Sequence, residues 1–359
     1  MNHIKVFILI LLFFSITSCG GGSDDTNQDG SQQRGGQLRP SKLQENQNYY
    51  RSVVSTRDYA YVAVRPGIGD RSGVMIFPLT QLDLTSSQTI NEANYIDLNQ
   101  RTATLALSGD VLFAGGDGIK ALDISDLENP VELFSLDSSA STGLKIYDNY
   151  MFSFSGFIRI FDIQDPYNPV LLGSITNAGF TAAYANNIVY ASSITLPENG
   201  QTQYTYENSK IHVIDISDPG NPTFQTEISL NGEAFHLEIF KNHLIAAVED
   251  LNIATTYLQV YSLSDPNKPL LEDTVIINSV MRAFGVNANY GVISGALSGF
   301  MFDVNALGKI EVLKSIVGGT ANTGDGFPYY ADVQPTYAII PGNGYAQVIS
   351  SASVSMAAP

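Results

Sequence analysis

The sequence predicts an all-β protein assembled from repeated strand-and-turn units. Its 359 residues include 19 Tyr, 18 Phe and 31 Gly, and only 15% are charged, a composition typical of strands and tight turns. A stretch of alternating apolar residues, followed by an Asp-rich turn, recurs along the chain. The helical patterns that alternating βαβ units require are absent from the sequence, so an α/β fold is not favoured.

The clearest copy of the repeated unit is residues 210–222, KIHVIDISDPGNP. An alternating strand runs from Ile211 to Ile216, and Asp218 and Pro219 then form a turn signal in which Pro fixes φ and ends the strand. Similar copies occupy residues 118–130 (GIKALDISDLENP), 157–169 (FIRIFDIQDPYNP) and 257–269 (YLQVYSLSDPNKP). Two further strands precede each copy and one follows it, so each unit contains four strands.

The spacing of these units predicts a β-propeller. The first strands of successive units begin near residues 51, 103, 142, 180, 235, 282 and 328, at separations of 38–55 residues. Four short antiparallel strands at this period are typical of a propeller blade, whereas a parallel β-helix needs a shorter and stricter period. We predict a seven-bladed propeller over residues 49–359, with four-stranded blades that begin near residues 49, 101, 140, 178, 233, 280 and 327. The sequence leaves open whether residues near Leu43 complete the last blade.

The first 18 residues have the layout of an export signal. A polar head with His3 and Lys5 precedes an apolar run at residues 6–14, which is too short to span a bilayer. Residues 16–19, ITSC, resemble a bacterial lipobox, whose Cys is acylated and becomes the mature N-terminus. We predict a lipoprotein signal peptide at 1–18 and lipidation of Cys19, the single Cys of the chain; the alternative is a cleaved secretory signal with an incidental Cys.

Residues 19–48 contain almost no aliphatic side chains, which predicts a disordered tether between the lipid and the propeller. An Asp directly after a lipidated Cys resembles an inner-membrane retention signal, but this position is Gly20, which favours the outer membrane of the bacterial envelope. Asp24 and Asp25 leave export to the cell surface open as an alternative to the periplasmic face. The membrane is thus a predicted partner through the lipid anchor.

The net charge of −17 excludes one class of partner. A strongly negative surface repels phosphate backbones, so nucleic acid is not expected to bind. With one Cys, an intrachain disulfide is impossible.

The copies that end in the pattern I-x-D-I-S-D-P-x-x-P resemble the LVIVD-repeat family of bacterial and archaeal surface-associated propellers. The similarity is clearest at residues 119–130, 158–169 and 211–222 and extends over about residues 49–348. The resemblance implies a propeller at the cell surface. It transfers no catalytic residue, because the family has no established ones.

Candidate binding residues lie where loops and inner strands meet. Loops that join second to third strands share one propeller face with the connections between blades, and ligands commonly bind at such loop-rich faces. The longest of these loops, residues 192–209, contains Tyr204, Tyr206 and Glu207. At the channel mouth the repeat register places five further candidates: Arg51, Phe180, Phe235, His236 and Arg282. Two Arg among aromatic residues can bind an anion, and the alternative is that each Arg pairs with a neighbouring acid.

No catalytic or metal-binding constellation is evident in the sequence. Neither H-x-x-x-H nor G-x-S-x-G occurs, so no catalytic residue, transition metal or cofactor is predicted. The paired Asp of the turns could bind Ca²⁺, but their recurrence in unit after unit favours a turn-capping role. These pairs are Asp123/Asp126, Asp162/Asp165 and Asp215/Asp218.

These observations predict a non-enzymatic, membrane-anchored lipoprotein that binds or scaffolds a protein or polysaccharide through its loop-rich face. One alternative is a hydrolase or lyase acting on an anionic substrate at the channel mouth, which requires His236 and an acid within hydrogen-bond reach. A second alternative is a component of an outer-membrane assembly complex, which an exposed apolar patch on one face would favour.

Overall fold

The computed structural model describes residues 41–66, 72–79, 89–90, 94–126, 130–137, 140–176, 178–193, 209–250, 252–295, 298–317, 329–341 and 343–350. These ranges contain 29 β-strands and no α-helix, so the all-β prediction is confirmed. In the same part of the chain, no helix has the length and apolar character needed to cross a membrane.

The strands occur in the following order along the chain. The first part of the chain contains β1 (Ser41–Ser55), β2 (Tyr59–Pro66), β3 (Gly73–Pro78), β4 (Thr89–Ile90), β5 (Asn94–Asp97), β6 (Thr102–Ser108), β7 (Val111–Gly116), β8 (Ile119–Asp123), β9 (Val131–Asp137), β10 (Gly143–Tyr147), β11 (Tyr150–Phe154), β12 (Phe157–Asp162) and β13 (Val170–Thr176). The middle part contains β14 (Ala178–Ala185), β15 (Ile188–Ser193), β16 (Lys210–Asp215), β17 (Thr223–Ser229), β18 (Glu233–Phe240), β19 (His243–Asp250), β20 (Thr255–Ser262) and β21 (Leu270–Ile277). The last part contains β22 (Met281–Val286), β23 (Gly291–Gly295), β24 (Ser298–Val304), β25 (Ile310–Val317), β26 (Tyr329–Tyr330), β27 (Asp332–Val333), β28 (Tyr337–Pro341) and β29 (Asn343–Ser350).

Four sheets have the predicted form of four antiparallel strands paired in chain order. They are β6–β9, β10–β13, β14–β17 and β18–β21. The remaining strands belong to one 13-stranded sheet, so the described chain has five sheets and the predicted count of seven separate ones is not confirmed. The large sheet is continuous because β26 pairs in parallel with β22 on one side and with β1 on the other, each time through only one or two residue pairs.

The first strands of the successive groups lie side by side in a closed ring. Each of these strands contacts the next one in the order β1, β6, β10, β14, β18, β22 and β26, and β26 contacts β1. The other strands of each group follow outward in order, so the sheets are arranged radially about a central axis. This arrangement is a β-propeller, and the predicted architecture is confirmed.

The N-terminal strand β1 joins the two ends of the chain. Its beginning pairs antiparallel with β29, with Ser41 opposite Val348 and Leu43 opposite Ala346, and its end pairs with β2. Residues near Leu43 therefore do return to the last strands of the chain. This corrects the predicted tether, which extended to residue 48: a polar segment without a core of its own becomes a strand because β29 supplies its hydrogen-bond partners.

Two faces of the propeller can be distinguished by their turns. On one face, which we call the Asp-turn face, the turn after the first strand lies beside the turn after the third: Ile216 N donates to Asn187 O over 2.8 Å, and Ile163 N donates to Asn149 O over 2.8 Å. The first strands of the sheets begin on the opposite face, which we call the loop face. Strand β1 is different because its beginning pairs with β29 and only its end acts as a first strand. Ser41, at the beginning of β1, therefore lies on the Asp-turn face, where the antiparallel strand β29 ends.

The paired Asp residues act as turn caps. Asp215 accepts a hydrogen bond from Ser217 N over 2.7 Å, and Asp162 accepts one from Gln164 N over 2.8 Å. The second Asp of the pair does the same, with Asp218 accepting from Gly220 N over 3.1 Å. These local bonds satisfy the turn backbone and lower the pKa of the Asp215 carboxyl, mainly through its hydrogen bonds with Ser217.

Apolar residues of adjacent sheets fill the space between them. Tyr190 and Val213 from one sheet pack with Leu237, Leu244 and Val248 from the next, and all are nearly or fully buried. Because each sheet is covered on both faces, its second and third strands are almost continuously apolar, as the sequence predicts.

Candidate functional site

A β-bulge at the start of the first strands turns selected side chains away from the regular alternation. The register shifts around Arg51 in β1, around Phe235 in β18 and around Arg282 in β22. Comparable shifts occur in β6 and β14. A bulge re-aims the extra residue and commonly marks functional positions. The residues that the repeat register placed together therefore occupy equivalent bulges of the ring.

Some of the predicted site residues can be located and others cannot. Arg51, Phe235, His236 and Arg282 lie on inner strands at the loop face, and all are buried. Phe180 lies in β14, but its side chain is outside the described part. The remaining predicted residues, Tyr204, Tyr206, Glu207 and the lipidation residue Cys19, also lie outside the described ranges.

Arg282 forms a buried ion pair with Glu249, the last but one residue of β19. Arg282 Nε lies 3.2 Å from Glu249 Oε2, and the two side chains are 2% and 0% exposed. The guanidinium also lies over the ring of Phe235, 4.6 Å from its centroid. Of the two roles considered for Arg282, anion binding and pairing with a neighbouring acid, the structure therefore shows pairing with an acid.

The pair leaves hydrogen-bonding atoms unused. Arg282 Nη1 and both carboxylate oxygens of Glu249 have no hydrogen-bond partner among the described residues, because the short Nε to Oε2 approach lacks hydrogen-bond geometry. Buried polar atoms in proteins are nearly always hydrogen-bonded, and each exception costs about 1–3 kcal/mol. Unused donors and acceptors side by side can bind a polar group that carries both.

A second acid shares this site. Glu233 is directly opposite Glu249 in the β18–β19 ladder. Burial raises the pKa of Glu249 to about 8, with Arg282 opposing and Glu233 adding to the rise. Burial likewise raises the pKa of Glu233 to about 7, against the attraction of Arg282. One guanidinium cannot neutralise two carboxylates, so the cluster retains a proton near neutral pH.

His236 is held by the neighbouring inner strand. Its Nε2 lies 2.6 Å from the carbonyl oxygen of Arg282, and its ring stacks on Phe284 with centroids 5.5 Å apart. Burial lowers the pKa of His236 to about 3, so the ring is neutral. Because Nε2 faces a carbonyl oxygen it carries the proton, and Nδ1 is an acceptor with no hydrogen-bond partner in the described structure.

The position of His236 also has a structural role. The equivalent residue after the bulge is Ser52 in β1, whose Oγ accepts a hydrogen bond from Leu105 N over 3.1 Å. In β6 it is Thr104, whose Oγ1 accepts from Leu144 N over 3.0 Å. Each of these side chains connects an inner strand to the next one. His236 makes the same connection to β22 and retains a free acceptor.

Arg51 lies in the aromatic part of the ring. Its guanidinium is 5.3 Å from the centroid of Tyr329, and the side chain is 4% exposed. Arg51 and Arg282 therefore each lie over a different aromatic ring of the inner strands, and a shared anion site formed by the two remains a prediction.

Another charged cluster lies further along the inner strands. Lys145 Nζ is 2.6 Å from Glu238 Oε1 and donates to Leu237 O over 2.6 Å, and Tyr147 OH donates to Glu238 Oε2 over 3.1 Å. Burial lowers the pKa of Lys145, and Glu238 opposes this change. The cluster joins β10 to β18 across the position of β14, and it uses both oxygens of Glu238.

The acids of both clusters, Glu233, Glu238 and Glu249, were not among the residues predicted from the sequence, and neither was Lys145. A charged residue inside an otherwise apolar inner strand is the signal that could have identified Lys145 and Glu238. In the described part of the chain, no group of three or more His, Cys, Asp or Glu residues could hold a metal ion.

Several solved structures have a similar fold. The WD40 propeller domain of Doa1 has a TM-score of 0.62 at 13% identity, with 90% of this chain and 100% of that chain covered. A chain of the COPII outer coat vertex on membranes has a TM-score of 0.61 at 10% identity, with coverages of 86% and 85%. A putative 6-phosphogluconolactonase from Bacteroides fragilis has a TM-score of 0.54 at 12% identity, with coverages of 75% and 84%. At these identities the similarity shows the fold alone.

Sequence comparisons give a narrower result. No curated protein matches the sequence. The model of the LVIVD repeat matches residues 204–228, so this chain contains an LVIVD repeat and the resemblance predicted from residues 211–222 is confirmed.

Proposed function

We propose that this protein is a binding module that captures a protein or polysaccharide partner at its loop face. The observation that carries the proposal is the Arg282–Glu249 pair, whose unused donors and acceptors lie where the inner strands begin. Because the two side chains are buried, a partner would reach them by inserting a polar group into the loop face. Hydroxyl and amide groups carry both a donor and an acceptor, and both proteins and polysaccharides present them. The fold supports the proposal, since a chain with a similar fold is part of the outer coat vertex of COPII on membranes.

The interpretation as a module of seven blades is part of this proposal. Three four-stranded groups can be distinguished within the large sheet: β22–β25, the end of β1 with β2, β3 and β5, and β27–β29 with the beginning of β1. Together with the four separate sheets, these groups give seven. The ring of inner strands supports the same count, since it also has seven members.

We further propose that Cys19 anchors the module by a lipid to the outer membrane, with residues 20–40 as a tether. Ser41 begins β1 on the Asp-turn face, so a tether that precedes it would join the propeller on the face opposite the Arg282 cluster. A module attached in this way would direct its loop face away from the membrane, toward a partner. Metabolic labelling with a fatty acid tests the anchor: label should enter wild type and be absent from Cys19→Ala.

The binding proposal is tested by affinity capture from detergent-solubilised native membranes and by glycan arrays. We expect one partner or glycan class to bind wild type. Binding should weaken at least about tenfold in Arg282→Gln and in a variant lacking residues 197–207, since one lost charge-assisted hydrogen bond is worth about 1.5–3 kcal/mol. Lys309→Gln serves as the control, because Lys309 is 49% exposed and lies in the β24–β25 turn on the Asp-turn face. Equal binding by wild type and both loop-face variants would refute the proposal.

The hydrolase or lyase alternative has less support. Neither ring nitrogen of His236 is hydrogen-bonded to a carboxylate within the described ranges, and its lowered pKa makes it a weak base. The assembly-complex alternative has a specific observation in its favour: large apolar side chains are exposed on the outer strands, among them Val170, Phe224 and Leu270.

A further inference from the structure

The outer strands expose apolar residues at the same place in four consecutive sheets. Each outer strand begins on the Asp-turn face, and its first two residues are exposed. The exposed apolar side chains at these positions are Val131 (59%), Val170 (57%), Leu171 (55%), Phe224 (58%), Leu270 (66%) and Leu271 (54%). We call these six residues the outer apolar band.

The outer apolar band repeats at equivalent positions of neighbouring sheets. Exposure follows one identical pattern over residues 162–171, 215–224 and 262–271, so three of the four sheets present the band at the same height. Single exposed apolar residues are ordinary, but a recurrence at one place in sheet after sheet favours an interaction surface.

Negative charge lies beside the band. The turns of the Asp-turn face in these four sheets contain nine aspartates, namely Asp110, Asp123, Asp126, Asp148, Asp162, Asp165, Asp215, Asp218 and Asp265. The described residues of the same turns contain two lysines, of which Lys241 is paired with Asp303 over 2.5 Å. The face is therefore acidic as well as apolar, and it matches a partner with the opposite charge.

Two other occupants fit less well. A second copy of this chain would bring acidic turns against acidic turns, and the net charge of −17 opposes such an approach. An anionic membrane surface is repelled for the same reason.

Backbone geometry also limits how a partner binds. Each of the four outer strands carries a β-bulge where it pairs with the third strand of its sheet. In β13 the bulge lies opposite Ile160 and Phe161 of β12, and in β17 it lies opposite Val213 and Ile214 of β16. Bulges on edge strands discourage the addition of a further strand. Contacts therefore come from side chains.

We infer that the outer apolar band and its aspartates form a docking surface for a basic protein segment that carries apolar side chains. This inference deepens the assembly-complex alternative and is independent of binding at the loop face, because the two surfaces are on opposite faces. Loss of one should leave the other intact, so their failures can be distinguished.

The test uses the full propeller and three synthetic peptides of equal length, composed of Lys and Leu, of Lys and Ser, and of Glu and Leu. We expect the Lys–Leu peptide to bind at least about tenfold more tightly than either of the others, and more weakly as salt is raised. The double variant Leu171→Ser/Leu270→Ser should lose this binding about tenfold or more. The charge variant Asp218→Asn/Asp265→Asn should weaken it several-fold while its amides still cap the turns.

The control variant is Ile253→Ser, since Ile253 is 60% exposed but lies in the β19–β20 turn on the loop face. It should bind as wild type does. All of these positions are exposed, so circular dichroism should show unchanged melting for the serine variants.

Several outcomes would overturn the inference. Equal binding of the Lys–Ser peptide would mean that the apolar residues are not used, and equal loss in Ile253→Ser would mean that the site is elsewhere. Binding to phosphatidylcholine vesicles that requires Leu171 and Leu270 would assign the band to a lipid surface. A dimer in sedimentation experiments that the double serine variant abolishes would assign it to a second copy.

Discussion

Two buried ion pairs on the inner part of the ring differ in how completely they are hydrogen-bonded. In the Lys145 cluster both oxygens of Glu238 are used, one by Lys145 and the other by Tyr147. In the Arg282 cluster, no described residue is hydrogen-bonded to either oxygen of Glu249, and Glu233 adds a second acid without a second cation. We call the Lys145–Glu238 pair saturated, because both carboxylate oxygens are used, and the Arg282–Glu249 pair unsaturated. A saturated pair stabilises the fold, whereas an unsaturated pair has polar atoms available for a ligand or a proton.

The largest expected effect is a loss of stability when the saturated Lys145–Glu238 pair is broken. Lys145→Met should lower the free energy of unfolding by about 3 kcal/mol, because it leaves the largely buried Glu238 carboxylate without its cation. Denaturant unfolding followed by circular dichroism measures this, since the protein has no Trp. The matched control is Lys210→Met, which breaks the exposed Lys210–Glu227 pair and should cost under about 1 kcal/mol. Equal losses in the two variants would show that the Lys145 cluster is not structural.

An intermediate effect is expected on the pH dependence of stability. The pKa values of Glu249 and Glu233 are raised in the folded protein, so the folded state keeps protons that the unfolded state has lost. Each group therefore contributes stability that is fully present below about pH 4 and is lost as pH rises toward 7–8, at roughly 1 kcal/mol per pH unit. Glu249→Gln should reduce this slope, and unfolding curves recorded across the window measure it.

The control for the pH experiment is Glu227→Gln, which changes an exposed acid and should retain the wild-type slope. If Glu249→Gln also retains it, the unsaturated cluster does not hold the proton that its geometry implies.

The smallest expected effect concerns His236. Its pKa is lowered to about 3 by burial, so nitrogen-15 NMR should show a neutral ring protonated on Nε2 from pH 8 to about pH 4. A folded pKa below the unfolded one of about 6.5 means that His236 costs stability as pH falls through this range, and His236→Gln should remove that cost. A ring that titrates near neutral pH would instead indicate an accessible base and would revive the enzymatic alternative.

The strand order and the radial arrangement could be predicted from the sequence because both follow from local information. Alternating apolar residues give each strand, and Asp and Pro at fixed offsets give each turn, as residues 210–222 illustrate. The repeat register also placed Arg51, Phe235 and Arg282 at equivalent positions, since identical units put equivalent residues on one ring.

Only the tertiary structure decided what those residues touch. The partner of Arg282 is Glu249, at the end of a strand in a different sheet, and no local pattern connects them. The bulges that aim the side chains depend on a one-residue register shift between strands, which composition does not encode. Strand β1 shows the same limit: the sequence around Leu43 predicts a polar tether, and it becomes a strand because β29, about three hundred residues away, offers unpaired backbone groups. Periodicity therefore determined the repeating unit, and long-range pairing determined the closure of the ring and the chemistry of its centre.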